Sequence, residues 1–218
     1  MHPRQVEWHS ENVRSLCVGN LQKDEDLEPL LQLKNVEELF FFCRPSRSMM
    51  AKVLERFGPK LKSLSCEIQQ NIVADEVFKL CPRLTSLKTF NPFSTVPPES
   101  LTELHWGFSH HAKFYAGLFA LLTTPNLRKL LICFFSLAHV RLRGVISALG
   151  KTSLPVAPKL KFLKLEAQFS PVVDEHTQAM IDLAQFICNK APNLMEVRMP
   201  RPELETPFSF INKTRIYN

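Results

Sequence analysis

Glycine is scarce in this sequence, with 6 residues against 16 prolines in 218. A site that cradles phosphate in a glycine-rich loop has little to draw on, and no P-loop, GxGxxG, GxSxG or HExxH spacing occurs. Long apolar runs are missing too. The longest mainly apolar stretch, Leu130 to Val140, contains Ser136 and His139 and is too short to span a bilayer, so no membrane association is expected. Met1 to Trp8 lacks the apolar core of a secretory signal. The cysteines (Cys17, Cys43, Cys66, Cys81, Cys133 and Cys188) form no CxxC pair and no zinc spacing. Scattered thiols of this kind fit a reducing compartment, cytoplasm or nucleus. With 45% hydrophobic and 22% charged residues, the chain has the composition of a folded domain.

What is abundant is leucine, and it is periodic. The phrase apolar-x-x-apolar-x-apolar returns along the chain, first as Val13-Leu16-Val18, Val36-Leu39-Phe41, Leu61-Leu64-Cys66 and Leu84-Leu87-Thr89. It continues as Leu101-Leu104-Trp106, Leu127-Leu130-Ile132, Leu160-Leu163-Leu165 and Leu194-Val197-Met199. The steps between copies are 23, 25, 23, 17, 26, 33 and 34 residues. A proline prefix precedes five of them: Gly58-Pro-Lys, Cys81-Pro-Arg, Thr124-Pro-Asn, Ala157-Pro-Lys and Ala191-Pro-Asn. Apolar positions two apart share one face of a strand, and a strand so short is stable only when neighbours stack beside it in parallel. Proline ends the preceding helix and favours extended geometry next to it.

Between phrases lie apolar stripes with helical spacing. They are Met50-Val53-Leu54-Phe57, Val73-Val77-Leu80, Phe114-Leu118-Leu121-Leu122, Leu142-Val145-Ile146-Leu149 and Met180-Leu183-Ala184-Ile187. The 17-residue step leaves no room for a helix, so an irregular loop, Asn91 to Ser100, is expected there, held extended by Pro92, Pro97 and Pro98.

The pattern resembles the leucine-rich repeat family, whose phrase is L-x-x-L-x-L-x-x-N or C. Here the last position holds Pro92 in one repeat and Arg44 in another, with Asn91 and Cys43 one place early. The Cys81-Pro82-Arg83-Leu84 entry and the uneven repeat lengths are similar to the irregular repeats of F-box substrate receptors. The resemblance implies an α/β solenoid, a right-handed horseshoe with parallel strands on its concave side and helices and irregular loops on its convex side. About eight repeats would occupy residues 13–200, with an N-terminal cap over 1–12 (Trp8 as a lid) and a C-terminal cap or tail over 201–218 (Phe208, Phe210, Ile211). It also implies a non-catalytic protein-interaction scaffold, in its most specific form the substrate-recognition region of a ubiquitin ligase receptor. The residues before Val13 are too few for an F-box, so a ligase adaptor would be met through a module this chain lacks. A stand-alone regulatory adaptor is the alternative within the same class.

If the register is right, the intervening strand positions face outward. Phe40, Phe42, Phe90, Leu131 and Phe162 are then large apolar groups on the surface, as in interaction sites; a one-residue slip would make them core instead. Charge is uneven: residues 1–109 carry 13 basic and 14 acidic side chains, residues 110–218 carry 14 and 7, and no carboxylate occurs from Leu104 to Leu165. Lys129, Lys164 and Arg198 fall at outward positions of consecutive repeats and are expected to form one basic row, opposite Glu38, Glu67 and Glu103, suited to an acidic or phosphorylated protein partner. Nucleic-acid binding through the basic half is the rival reading, although no RNA-binding motif accompanies it.

Reactive chemistry is thin. His105, His110 and His111 lack a cysteine or carboxylate at ligand spacing, so no metal and no cofactor is expected. Asp24-Glu25-Asp26-x-Glu28 reads as the first turn of a helix. Cys66 fills an apolar repeat position and Cys81 ends a helix, which suits packing rather than nucleophilic catalysis. Asn212-Lys-Thr214 matches a glycosylation acceptor that a non-secreted chain would not use. No enzymatic activity is expected.

Overall fold

In the computed structural model, residues 11–19, 24–66, 74–108, 112–135, 139–152, 156–167, 174–199 and 215–216 are described. Of the expected caps, residues 1–10, 201–214 and 217–218 (with Trp8, Phe208, Phe210 and Ile211) lie outside them, as do the Asn212 acceptor, Glu67, His110 and His111.

Each phrase becomes a strand. They are β1 (Ser15–Val18), β2 (Glu38–Phe41), β3 (Ser63–Cys66), β4 (Ser86–Thr89), β5 (Glu103–Phe108), β6 (Lys129–Phe134), β7 (Phe162–Ala167) and β8 (Glu196–Arg198), with a two-residue β9 (Arg215–Ile216). They form one sheet in chain order, and every neighbouring pair is parallel. The register is the one the phrase dictates. Leu16, Leu39, Leu64, Leu87, Leu104, Leu130, Leu163 and Val197 stand side by side across eight strands. All but Leu16 are buried.

One hydrogen-bond motif recurs at each of the seven junctions from β1 to β8. The carbonyl two residues before the inward apolar position accepts two successive N–H groups from the next unit. Arg14 O takes Glu37 N at 2.7 Å and Glu38 N at 3.0 Å, and Lys161 O takes Met195 N at 2.9 Å and Glu196 N at 3.1 Å. The carbonyls of Glu37, Lys62, Thr85, Thr102 and Arg128 do the same. A carbonyl has two lone pairs, so this doubling uses its full capacity, as at a β-bulge.

The proline prefix is a turn. Leu61 N reaches Gly58 O, Leu84 N reaches Cys81 O and Leu160 N reaches Ala157 O, each at 3.1 Å, and Leu194 N reaches Ala191 O at 3.3 Å. Proline sits second in each, where its fixed φ suits the bend. The polar residue that follows stitches adjacent turns: Lys60 Nζ donates to Lys34 O, Lys159 Nζ to Asn126 Oδ1 and Asn193 Nδ2 to Pro158 O.

The connecting stripes are helical: α1 (Arg47–Phe57), α2 (Ala74–Leu80), α3 (Ala112–Leu122), α4 (His139–Gly150) and α5 (Asp174–Lys190). Ser46 caps α1 by accepting from Met49 N at 3.1 Å. Met50, Val53, Leu54 and Phe57, like Phe114, Leu118, Leu121 and Leu122, are buried in one core with the inward strand rows. Met180, Leu183, Ala184 and Ile187 join them, whereas Val145 and Ile146 are only half-buried. The first connection is helical as expected, but of the tighter 3-10 kind. The acidic run opens a 3-10 helix, Asp24–Gln32, with Pro29 inside it. Proline removes a donor that a regular α-helix would need. Asp24 reaches across to Ser46, accepting its N–H at 3.0 Å, and hydrogen bonds from Ser46 hold the Asp24 carboxyl below its usual value.

Between β4 and β5 the chain runs as the irregular loop foreseen for the 17-residue step. Phe93 turns inward there, against Phe78 of α2 at 5.4 Å and Trp106 at 4.6 Å between ring centroids. Trp106 stacks on Phe114 of α3 and donates its indole N–H to Asn91 O at 3.0 Å. Gly117 makes this fit possible, since a Cβ there would lie 2.7 Å from Phe93 O and 2.9 Å from Trp106 Cη2. Gly117→Ala should therefore destabilise by about 2 kcal/mol through overpacking. Gly144 on α4 has nothing within 4 Å of its would-be Cβ, and Gly144→Ala should stabilise by about 0.5–1 kcal/mol through helix propensity. Urea midpoints of the two variants moving in the same direction would contradict this packing.

Candidate functional site

Because the inward row is fixed, so is the face opposite the helices. Its first row runs Ser15, Glu38, Ser63, Ser86, Glu103, Lys129, Phe162, Glu196. The second runs Cys17, Phe40, Ser65, Lys88, His105, Leu131, Lys164, Arg198. A third includes Phe42, Phe90, Gly107, Cys133 and Glu166. All eight residues singled out in the sequence lie on this outward face, and the one-residue slip is excluded by the strand register.

They fall into three groups. Phe40 on β2 and Phe42 just after it stand together, with Phe42 53% exposed, flanked by the small Ser15 and Cys17 of β1 and Ser63 and Ser65 of β3. Phe90 follows β4. Lys129, Leu131, Phe162, Lys164 and Arg198 share β6 to β8, where the Arg198 guanidinium lies 5.2 Å from the Phe162 ring centroid. Such an exposed cation–π contact is worth about 0.5–1 kcal/mol.

The single basic row is corrected by the register. Lys129 occupies the first row, beside Phe162, whereas Lys164 and Arg198 are neighbours in the second. Each also faces a carboxylate: Lys129 is 3.6 Å from Glu103, Lys164 is 2.5 Å from Glu166 and Arg198 is 2.6 Å from Glu196. The missed signal was strand length. Glu166 lies just outside the carboxylate-free stretch and two residues from Lys164, as Glu196 lies two from Arg198, and two residues along a strand return to the same face. The result is a surface of exposed ion pairs interleaved with apolar groups rather than a cationic stripe.

Three residues expected to face solvent are covered. Ser65, Gly107 and Cys133 are buried although their parity is outward. What covers Gly107 is Phe90 together with Phe135, 41% exposed, their ring centroids 5.5 Å apart. Phe135 was missed in the sequence because the phrase ends at Ile132; continuing the alternation through Leu131 and Cys133 reaches it. His105 meets the edge of Phe90 at 6.2 Å. Burial pushes the Cys133 thiol up, and the Glu166 charge adds to this against the opposing pull of Lys164. Burial also pushes Cys81 up to about 12 and raises Cys188, so these thiols stay protonated and poorly nucleophilic.

The loop that leaves Phe90 is tied down by Asp75 of α2. Its carboxylate accepts from Ser94 N at 3.0 Å and Thr95 N at 2.9 Å, and from both hydroxyls. Burial raises the Asp75 carboxyl, but these bonds outweigh it and hold the group below its ordinary value of 3.8. No helix among the described residues is long and apolar enough to cross a membrane. No family model, curated protein or solved structure matches the chain.

A carboxyl depressed in the folded state stabilises fully above its unfolded pKa and loses that contribution as pH falls through the folded value. Asp75→Ala should cost about 1–2 kcal/mol at neutral pH, the scale of a lost helix cap or charged hydrogen bond. The gap between wild type and variant should close below about pH 4. Chemical denaturation at pH 7 and pH 3 measures it; an equal gap at both would remove Asp75 as the anchor.

Proposed function

We propose that the chain is a leucine-rich-repeat horseshoe that works without catalysis, in cytoplasm or nucleus, by presenting the outward sheet face to a protein partner. The observation that carries this is the composition of that face. Phe42 and Phe135 expose large apolar surface one residue past β2 and β6, each held by a backbone N–H to the neighbouring unit (Val18 O and Phe108 O), beside exposed ion pairs. Aromatic anchors ringed by polar groups are how protein interfaces gain both energy and specificity. Repeated strand-turn-helix units in chain order support the repeat reading, since each unit buries its apolar row only against its neighbours. Thiols held protonated by burial support a non-catalytic role.

The specific form is the recognition half of an F-box-type ubiquitin ligase receptor. Co-purification of a cullin adaptor with the native protein favours that form; its absence, with another partner retained, favours a stand-alone adaptor. Nucleic-acid binding is weakened by the pairing of Lys129, Lys164 and Arg198 with carboxylates, and retention on heparin with a steep salt slope would revive it.

A photo-crosslinking amino acid placed at Phe40 or Phe162 should capture a partner protein in cells, and the same group at the exposed Ser147 on α4 should not. Capture only from Ser147 would overturn the reading. Reversing Lys129 and Lys164 to Glu together should weaken capture from the outward face several-fold, because each change also leaves a carboxylate pair in repulsion.

A further inference from the structure

We infer that the rim just before β6, β7 and β8 docks an acidic segment of the protein partner. Its carboxylates would lie on Arg128, Lys159 and Lys161, and an adjoining apolar side chain on Met195. This rests on the reading that the chain works by binding a protein, and it assigns the chemistry of one end of that contact.

The rim is part of the row of shared carbonyl acceptors. Arg128 O accepts Lys161 N at 2.8 Å and Phe162 N at 3.1 Å, and Lys161 O accepts Met195 N at 2.9 Å and Glu196 N at 3.1 Å. Arg128, Lys161 and Met195 are therefore lateral neighbours, about 4.8 Å apart from strand to strand. Their backbone is already fixed, so binding there costs little further ordering. All three side chains are exposed, Met195 by 65%. Lys159, two residues before Lys161, is exposed as well. Its Nζ donates to Asn126 Oδ1 at 2.7 Å, a neutral acceptor that leaves the charge uncompensated.

These cations have no structural task in view. Among the described residues, the side chains of Arg128 and Lys161 take part in no hydrogen bond or ion pair. The carboxylates of β5, β7 and β8 are occupied, Glu103 by Lys129, Glu166 by Lys164 and Glu196 by Arg198. Nor do the cations serve the helix ends that precede them. The Thr123 and Thr124 hydroxyls donate to Ala120 O at 2.8 and 3.1 Å, and Ala157 N donates to Leu122 O at 2.6 Å. The Thr152 hydroxyl donates to Leu149 O at 3.0 Å. The last turns of α3 and α4 thus have other donors. Like charges held side by side without a counter-charge repel each other and attract an anion.

The borders of the rim favour a short acidic peptide over a long polyanion. On one side the next unit brings Glu99, Thr102 and Glu103 in place of cations, and on the other Met195 is apolar. The basic ground is two units wide, which suits two or three carboxylates rather than a run of phosphates. No ring stands in this row for a base to stack on, and Phe162 beside it already meets Arg198 at 5.2 Å. From Arg128 to Met195 is about 10 Å, three residues of extended chain. The apolar residue should therefore stand within about three positions of the acids, where the flexible thioether of Met195 can adapt to it.

The test is selection of a randomised peptide display library on the full chain, followed by fluorescence anisotropy with the enriched peptides. They should carry two or more Asp or Glu residues and an aliphatic or aromatic residue close by. Reversing Arg128 and Lys161 to Glu together should cut their affinity about tenfold or more, and Met195→Ser several-fold. Arg128→Gln with Lys161→Gln, which removes the charges without reversing them, should give a smaller loss in the same direction. Reversing Lys113 and Arg141 at the starts of α3 and α4, an equal change of charge, should leave affinity within about twofold. Thermal melting checks that each variant keeps its fold. No enrichment, peptides without acids, or peptides indifferent to the Arg128 and Lys161 changes overturn the inference. A random-sequence single-stranded RNA that binds more tightly than the peptides and is lost on the same reversal also overturns it, assigning the rim to nucleic acid. Indifferent peptides that a photo-crosslinker at Phe40 still captures overturn it while leaving the outward face as the binding face. Peptides that crosslink only beside Ser147 overturn both.

Discussion

At each junction from β1 to β8, one carbonyl accepts two successive N–H groups from the next unit. This shared acceptor sits immediately before the strand and counts residues: it sets which side chain of the incoming unit lies beside which side chain of the last. A slip of one residue would break a pair of bonds and turn every leucine of the inward row to solvent. Each of those leucines is worth roughly 2 kcal/mol of burial. The bond pattern and the apolar row therefore enforce one another, unit by unit, with no long-range pairing to find.

The outward face inherits its arrangement from that constraint. Its residues are free of packing duty toward the core, yet their backbones are as fixed as the core itself. Lateral neighbours come from chain positions 17 to 34 residues apart, so charges remote in sequence meet: Glu103 finds Lys129, and Arg198 finds Phe162. Salt bridges this exposed add little stability. They matter for what they do to the field, converting a basic half-chain into a surface of local dipoles.

How far the sequence carries the structure follows from this division. The strand positions, the inward row, the proline turns and the helix-less step were legible because each is written within a single unit, by parity and by the residue at one turn position. Helix faces were legible for the same reason. What crosses between units was not. The doubled carbonyl bonds involve backbone alone, and Asp75 binding Ser94 and Thr95 joins a helix to a loop that no periodicity links. The run Asp24 to Glu28 looked helical by charge, but Pro29 and the bond to Ser46 make it a tight 3-10 connection. Lys129 fell in the wrong row because counting along the chain gives the face and not the lateral neighbour.

The shortest unit shows the two faces to be one problem. A 17-residue step cannot supply a helix, so the core between α2 and α3 must be filled by the loop itself. Strand alternation continues past Thr89 to do it: Phe90 turns outward, Asn91 is buried and gives its carbonyl to Trp106, and Phe93 enters the gap as an aromatic plug. Trp106 can rise to meet Phe93 because Gly117 clears space on α3, and one residue along the same strand Gly107 clears space on the opposite face for Phe90 and Phe135. The missing helix, the buried tryptophan and the exposed ring pair thus share a cause. Where the repeat is too short to be regular, side chains take over the work of a backbone element, and the surplus aromatic they require on the inside is matched by one left standing on the outside.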